Sequence, residues 1–292
     1  MGLRGIFELI KSRYVAILLY TSGLTNNLIV LSRLNISPIT FALAEAGAFF
    51  ATVAAYILSD LLDLKEDIIN SPNRPLPSGR ATPRDAKILI GASLIIAIIS
   101  GSLINTLTAL LIFLSFILSS LYSMPFVRGK EKYYAKSSLS WLGGFVGTFT
   151  AMAVLKSFSI VGLMISAMNG TLIMLLVMIG DIIDYDGDKA SGVNSLAVKF
   201  GRETALKFMT FFLFILILLV TAIVYADGFI HPVYLFVSIT AVSFVYLSFR
   251  KLKANNFEKR TAKMVKQYLR GLYFIEQLSL ALSVILSIIL LS

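Results

Sequence analysis

Cysteine is absent from this 292-residue chain, which excludes disulfides, thiolate metal sites and a catalytic thiol. Histidine occurs once, as His231, so His-based zinc sites and Ser-His-Asp triads are excluded too. Charge is sparse: Asp, Glu, Lys and Arg make up 14% of the residues and apolar types 57%. Soluble domains carry about 25% charged residues, so the composition is that of a membrane protein. No cleavable signal peptide is visible. Arg4, Lys11 and Arg13 precede an apolar stretch, but it contains Thr, Ser and two Asn and ends without a small-residue cleavage site.

What remains is a series of apolar runs near the roughly 20 residues that one span requires. The pattern predicts an all-α integral membrane protein with nine spans, at about 14–33, 38–62, 87–105, 107–122, 138–155, 160–180, 205–226, 231–249 and 271–291. The net charge of +10 is no sign of nucleic-acid binding, because it follows membrane topology. All Lys and Arg except Arg33 and Lys156 fall at the N-terminus or in the connections 63–86, 123–137, 181–204 and 250–270 with their flanks. Positive charge stays in the cytoplasm, which predicts N-in and C-out. Segment 251–270 reads as a basic amphipathic stretch lying near anionic membrane lipids.

Two acidic motifs stand out. Asp60, Asp63 and Asp67 follow D-x2-D-x3-D, and Asp181, Asp184 and Asp188 repeat it 121 residues later. Each closes a long apolar run on the side read as cytoplasmic. The repeat suggests an internal duplication: one transmembrane domain, 1–292, with halves of roughly 14–125 and 138–250 and a ninth helix added. Spacings of three and four place each trio on one helical face. Like charges about 6 Å apart repel by about 3 kcal/mol at an effective dielectric near 20. Acids at a helix C-terminus also oppose the macrodipole. Protonation or bound cations are the available compensations, and oxygen-only ligands select hard cations such as Mg²⁺. Mg²⁺ completes its shell with water and phosphate oxygens, so facing clusters suit a metal-bridged diphosphate. Arg74, Arg80, Arg128, Lys130, Lys136, Lys189 and Lys199 are candidates to neutralise the remaining phosphate charge.

The proline-rich run 71–79 stiffens the first of these loops. Many aromatic residues line the apolar runs, among them Phe49, Phe50, Tyr56, Phe116, Tyr122, Phe145, Phe149, Phe211, Phe212 and Phe214, and an aromatic face can stabilise a carbocation. No individual role follows from sequence. Gly143, Gly144 and Gly147 permit close helix packing. Glu45 and Glu276, inside or near apolar runs, are candidate functional groups or partners of Lys, Arg or Asn. Asn26 and Asn27 are expected to face the bundle interior, and His231 to be structural.

At these residues the chain resembles the UbiA-type intramembrane prenyltransferases. That family's first motif, N-D-x2-D-x3-D followed by R-P-x-P-S-G, is matched by Ser59, Asp60, Asp63, Asp67, Asn70 and the run Arg74-Pro75-Leu76-Pro77-Ser78-Gly79. The second is matched by Asp181, Asp184, Gly187-Asp188 and Lys189. Tyr122-Ser123 and Lys136 also look like the family, and Arg13 resembles a basic residue near its acceptor. Ser59 stands where the family has Asn. The resemblance implies a helical bundle around a central cavity, capped by the loops after the second and sixth spans. It implies metal contacts from Asp60, Asp63, Asp67, Asp181, Asp184, Asp188 and Ser59. Catalysis would fall to Asp63, Asp67, Asp184 and Asp188, and substrate binding to Arg13, Arg74, Tyr122, Ser123, Lys136 and Lys189. The implied reaction is Mg²⁺-dependent ionisation of a prenyl diphosphate and attack by an acceptor, with Asp184 or Asp188 as candidate base. The leading expectation is an aromatic acceptor such as 4-hydroxybenzoate or another quinone precursor. The alternative is geranylgeranyl transfer to a glycerophosphate lipid, as in archaeal ether-lipid synthesis. A cation transporter is a different class, but transporter sites lie near the membrane midplane. The D-G-x2-A-R signature of membrane phosphotransferases is absent.

Overall fold

The computed structural model describes residues 3–124 and 129–291. They form thirteen α-helices: α1 Leu3–Ser12, α2 Tyr14–Ser32, α3 Pro38–Leu62, α4 Leu64–Asn70, α5 Pro83–Ile104, α6 Thr106–Leu121, α7 Tyr133–Leu155, α8 Ile160–Ile183, α9 Tyr185–Ala190, α10 Leu196–Phe200, α11 Arg202–Asp227, α12 Val233–Ala254 and α13 Lys259–Leu291. Eight of these are long and apolar enough to cross a membrane. The fourth expected span, α6, has only 16 residues, about 24 Å of helix against a hydrocarbon core near 30 Å.

Local chemistry sets the boundaries. Pro83 opens α5 behind a Thr82–Asp85 capping box, and Asn105 caps α6 by accepting from the Thr108 N–H. Arg33 and Lys156, the two basic residues that break the charge pattern, both end helices in the left-handed conformation. Arg33 makes two hydrogen bonds to Asp227, at 2.7 and 2.8 Å, and lies over the Phe229 ring. Its charge is therefore paired within the bundle.

Sequence reading missed two features. The first thirteen residues contain α1, an amphipathic helix that buries Leu9 against Leu76 and Ala81 of the proline-rich loop. Gly5 lets it approach: a Cβ there would lie 3.3 Å from the Arg80 carbonyl oxygen. Segment 251–270 is also not a separate surface stretch. α12 runs to Ala254, and after a short turn α13 continues unbroken for 33 residues. No helix breaker precedes Gly271, so the basic first turns of α13 belong to the bundle.

The core centres on α8, whose residues are mostly buried. It meets α7 closely at Gly144 and Gly170, whereas Gly143 and Gly147 have only ordinary contacts. A Cβ on Gly170 would sit 2.7 Å from the Trp141 carbonyl oxygen. Gly170→Leu should therefore lower stability by about 1–3 kcal/mol or more, since backbone cannot yield as a side chain does. Thermal melting in detergent checks this, with Gly91→Leu, whose Cβ meets nothing within 4 Å, as the silent control.

Several buried polar groups bond to one another across helices. Asn26 donates to Gln277 at 2.7 Å, and Gln277 donates to Asn169 at 2.6 Å, tying α2, α13 and α8 together. Asn27 donates to the Thr148 carbonyl of α7. Both asparagines thus face the interior, as expected. Glu276 accepts from Tyr234 and Ser238, and Glu45 from Thr25. Hydroxyl groups, rather than Lys, Arg or Asn, hold these two acids. His231 accepts from the Val233 N–H at the start of α12, a structural role.

Candidate active site

The acidic trios do not ride on uninterrupted helices. α3 stops before Asp63, where ψ is 5°, and α4 resumes after it. α8 stops before Asp184, where ψ is 4°, and α9 follows. Ordinary helical ψ is near −42°, so each middle Asp sits at a kink. The i to i−4 bonds nevertheless persist: Asp63 N–H to Ser59, Asp67 to Asp63, Asp184 to Gly180 and Asp188 to Asp184. Each trio keeps its common side while its lower members swing off the span. The kink falls at the same motif position in both trios.

Within each trio the first Asp is locked away. Asp60 is 4% exposed and accepts from Arg13 Nε at 3.0 Å and from Arg13 Nη2, with Arg74 at 3.4 Å. Burial pulls the Arg13 guanidinium down, but the Asp60 hydrogen bond and charge outweigh it, so Arg13 stays protonated. Asp181 is fully buried, ion-paired with Lys136 at 2.5 Å, and accepts from the Leu196 N–H at 3.1 Å. Asp67 is held by Arg74 at 2.5 Å. Ser123 donates to Asp63 at 3.4 Å. Asp184 is exposed and Asp188 half-buried. Burial pushes the Asp188 carboxyl up, against the charge of Lys136.

The loops hold these groups in place. Arg74 follows a turn closed by its own N–H to the Ser71 carbonyl, and the Ala81 N–H returns to Pro75. Glu8 of α1 fixes the end of this loop through Arg80 at 2.7 Å. Arg80 is thereby committed away from the acidic trios. On the other side, Asn194 bonds to the Glu131 carbonyl and pairs with Lys132, docking the loop after α9 onto the start of α7.

A cavity of about 530 Å³ opens between α2, α3, α6, α7, α8 and α13. Its polar end carries Arg13, Ser59, Asp63, Arg74, Tyr122 and Ser123. Its lower wall is apolar, with Leu19, Leu118, Ile173 and Leu176. Of the aromatic residues named from sequence, Tyr56 and Tyr122 line it. Tyr20, which sequence reading missed, joins them edge-on to Tyr56. Lys266 and Arg270 of α13 also line it, hidden from sequence reading by their place in a generally basic stretch. Their spacing of four, inside a helix continuing into an apolar span, was the available signal. Lys189 and Lys199 lie off the cavity wall, near the rings of Tyr185 and Tyr133. Arg128 falls outside the described residues, as do the side chains of Asn70 and Lys130.

Of the two trios, Asp63 lines this cavity and accepts from Ser123 on its wall, while the second trio stands at the end of α8, where Lys136 of α7 holds Asp181. The donor set is carboxylate and hydroxyl oxygen, with no imidazole or thiolate. Among the described residues no three carboxylates gather closely enough to enclose an ion by themselves. Oxygen donors of this kind suit Mg²⁺, which takes one or two carboxylates and shares the rest of its shell with water and phosphate.

The sequence profile of the UbiA prenyltransferase family matches residues 18–274. The chain is 27% identical over 233 residues to the digeranylgeranylglyceryl phosphate synthase of Methanopyrus kandleri, covering 76% of this chain and 82% of that one. A solved structure concerned with digeranylgeranylglyceryl phosphate synthase superposes with a TM-score of 0.77 at 22% identity, covering 97% of this chain and 98% of that one. A UbiA homolog from Archaeoglobus fulgidus, bound to DMAPP and Mg²⁺, superposes with a TM-score of 0.68 at 16% identity, covering 93% and 98%. With the profile spanning most of the sequence, the chain belongs to the UbiA prenyltransferase family and is a multi-pass membrane prenyltransferase.

Proposed function

We propose that this enzyme transfers a geranylgeranyl-type group from its diphosphate to the free hydroxyl of a glycerophosphate lipid, forming an ether. The observation that carries prenyl transfer is one cavity with carboxylates and cations at its mouth and apolar walls below. The acceptor class rests on the relatives named digeranylgeranylglyceryl phosphate synthase, which favour the glycerophosphate over the aromatic acid that led the sequence reading.

Asp63, Asp67, Asp184 and Asp188, with Ser59, would hold Mg²⁺, which when bound supplies Lewis-acid charge neutralisation for the leaving diphosphate. Asp60 and Asp181, fixed by Arg13 and Lys136, position the trios rather than contact the ion. Arg13 and Arg74 add positive charge beside the departing phosphate. The allylic C–O bond breaks, and its electron pair leaves with the diphosphate. Tyr20, Tyr56 and Tyr122 face the resulting allylic cation and help exclude water. The acceptor hydroxyl attacks C1, and its proton passes to a carboxylate of the second trio.

Nine spans, with the site on the cytoplasmic side, complete the proposal. The absence of cysteine makes single-cysteine accessibility mapping free of background. An ion path is disfavoured, because Arg13, Arg74 and Lys136 crowd the carboxylates at one end.

Labelled geranylgeranyl diphosphate tests the acceptor. With Mg²⁺, purified protein should make an ether from a glycerophosphate lipid carrying one geranylgeranyl chain, and no C-prenylated 4-hydroxybenzoate. The reverse outcome would restore the aromatic reading. EDTA should reduce turnover by about 100-fold or more, and added Mg²⁺ should restore it.

A further inference from the structure

Three of the cations at the cavity are already matched. Arg13 pairs with Asp60, Arg74 with Asp67 and Lys136 with Asp181. Lys266 and Arg270 are different. Both are half-buried on the cavity wall, one turn apart on α13, and among the described residues no carboxylate forms an ion pair with either. Arg270 reaches only the amide oxygen of Gln267, at 3.3 Å. The Lys266 Nζ stands 3.7 Å from where a Cβ on Gly180 would be, so it lies along the open side of α8 just before Asp181. Asp181 is already engaged by Lys136.

Two adjacent cations withdrawn from bulk water, in no ion pair and with Asp184 and Asp181 acting on Lys266 only through space, are costly unless an anion joins them. Their position sets them beside the second trio, on the side of the cavity away from the first. α13 packs on α2, α8 and α12, whereas α3, which carries the first trio, packs on α2, α5 and α6. The cavity lies between them. A phosphomonoester carries a charge of about −1.5 to −2 near neutral pH and presents three acceptor oxygens. That matches a Lys–Arg pair better than the single charge of a benzoate does.

We propose that Lys266 and Arg270 form the specificity clamp for the acceptor's phosphate, across the cavity from the first acidic trio. This rests on the glycerophosphate reading above. It makes the enzyme selective for phosphorylated acceptors and fixes which end of the acceptor sits at the polar mouth. Its hydroxyl is thereby held toward the diphosphate side.

Steady-state kinetics with both substrates varied tests the clamp. Lys266→Gln and Arg270→Gln should each raise the acceptor KM about tenfold or more, the loss of one charged hydrogen bond. The KM for geranylgeranyl diphosphate should stay within about twofold of the original, since no clamp contact reaches it. Lys266→Arg should retain most of the affinity. A dephosphorylated acceptor supplies the second readout: the wild type should strongly prefer the phosphorylated form, and the double variant should lose that preference. A wild type that prenylates the glycerophosphate lipid, with variants whose acceptor KM is unchanged, overturns the clamp alone. A rise confined to the diphosphate KM overturns it too, by assigning the pair to the donor. A wild type that turns over only the aromatic acceptor overturns the acceptor reading and the clamp together.

Discussion

Asp63→Ala and Asp184→Ala are each expected to lower kcat by about a thousandfold, roughly 4 kcal/mol of transition-state stabilisation. Each residue is the kink of its trio, at the point where α3 gives way to α4 or α8 to α9. Neither is the deeply buried member: that is Asp60 in one trio and Asp181 in the other. Asp63 lines the cavity and Asp184 is exposed, so each change removes a carboxylate outside the buried core. Both variants should insert and melt like the parent. Asp186→Ala is the control, because Asp186 is exposed on α9 and lies off the repeated pattern. If both kink variants kept near-parental turnover with saturating Mg²⁺, the site would have to be moved elsewhere.

Lys136→Met is expected to destabilise the fold by about 3–5 kcal/mol, the usual consequence of stripping one partner from a buried ion pair. Asp181 has no exposed side-chain surface and Lys136 only 12%, so water cannot take the lysine's place. The Leu196 N–H would remain, a single donor for a full negative charge. Since that bond also anchors α10, the loop after α9 should loosen in the same variant. The double change Lys136→Met and Asp181→Asn removes the orphaned charge and should recover most of the lost stability. It should not recover activity, because Asp188 would still lack its cation. Melting midpoints in detergent and amide exchange over 184–201 check the two parts separately. Equal midpoints for single variant and parent would show that the pair contributes little to holding the bundle.

Much of the fold was legible because it is written in local signals. Apolar runs gave the eight long helices, with α6, at 16 residues, the expected span that falls short. The repeated D-x2-D-x3-D was visible as a pattern, and Ser59 as its one departure. The pattern did not show that each helix bends at its middle Asp, because spacing alone assumes a straight helix. Nor did it separate Asp60 and Asp181 from their companions, which depends on cations brought in from elsewhere. Arg13 is 47 residues from Asp60 along the chain. Arg33 is 194 residues from Asp227, which is why it looked like an exception to the charge rule. The basic segment before the last span looked like a surface element because composition cannot tell an outward lysine from one turned into a cavity.

The sequence by itself determined that this protein is a helical membrane protein, where its long apolar helices run and that it carries the repeated acidic motif. These are properties of consecutive residues, set by hydropathy, helical period and the identity of the side chains. Tertiary structure alone decided which acids are locked and which stand at the mouth, that α1 braces the proline-rich loop, and that Lys266 and Arg270 face into the cavity. Those outcomes depend on helices distant in sequence packing side by side, where a neighbour's charge and the exclusion of water settle what each group can do.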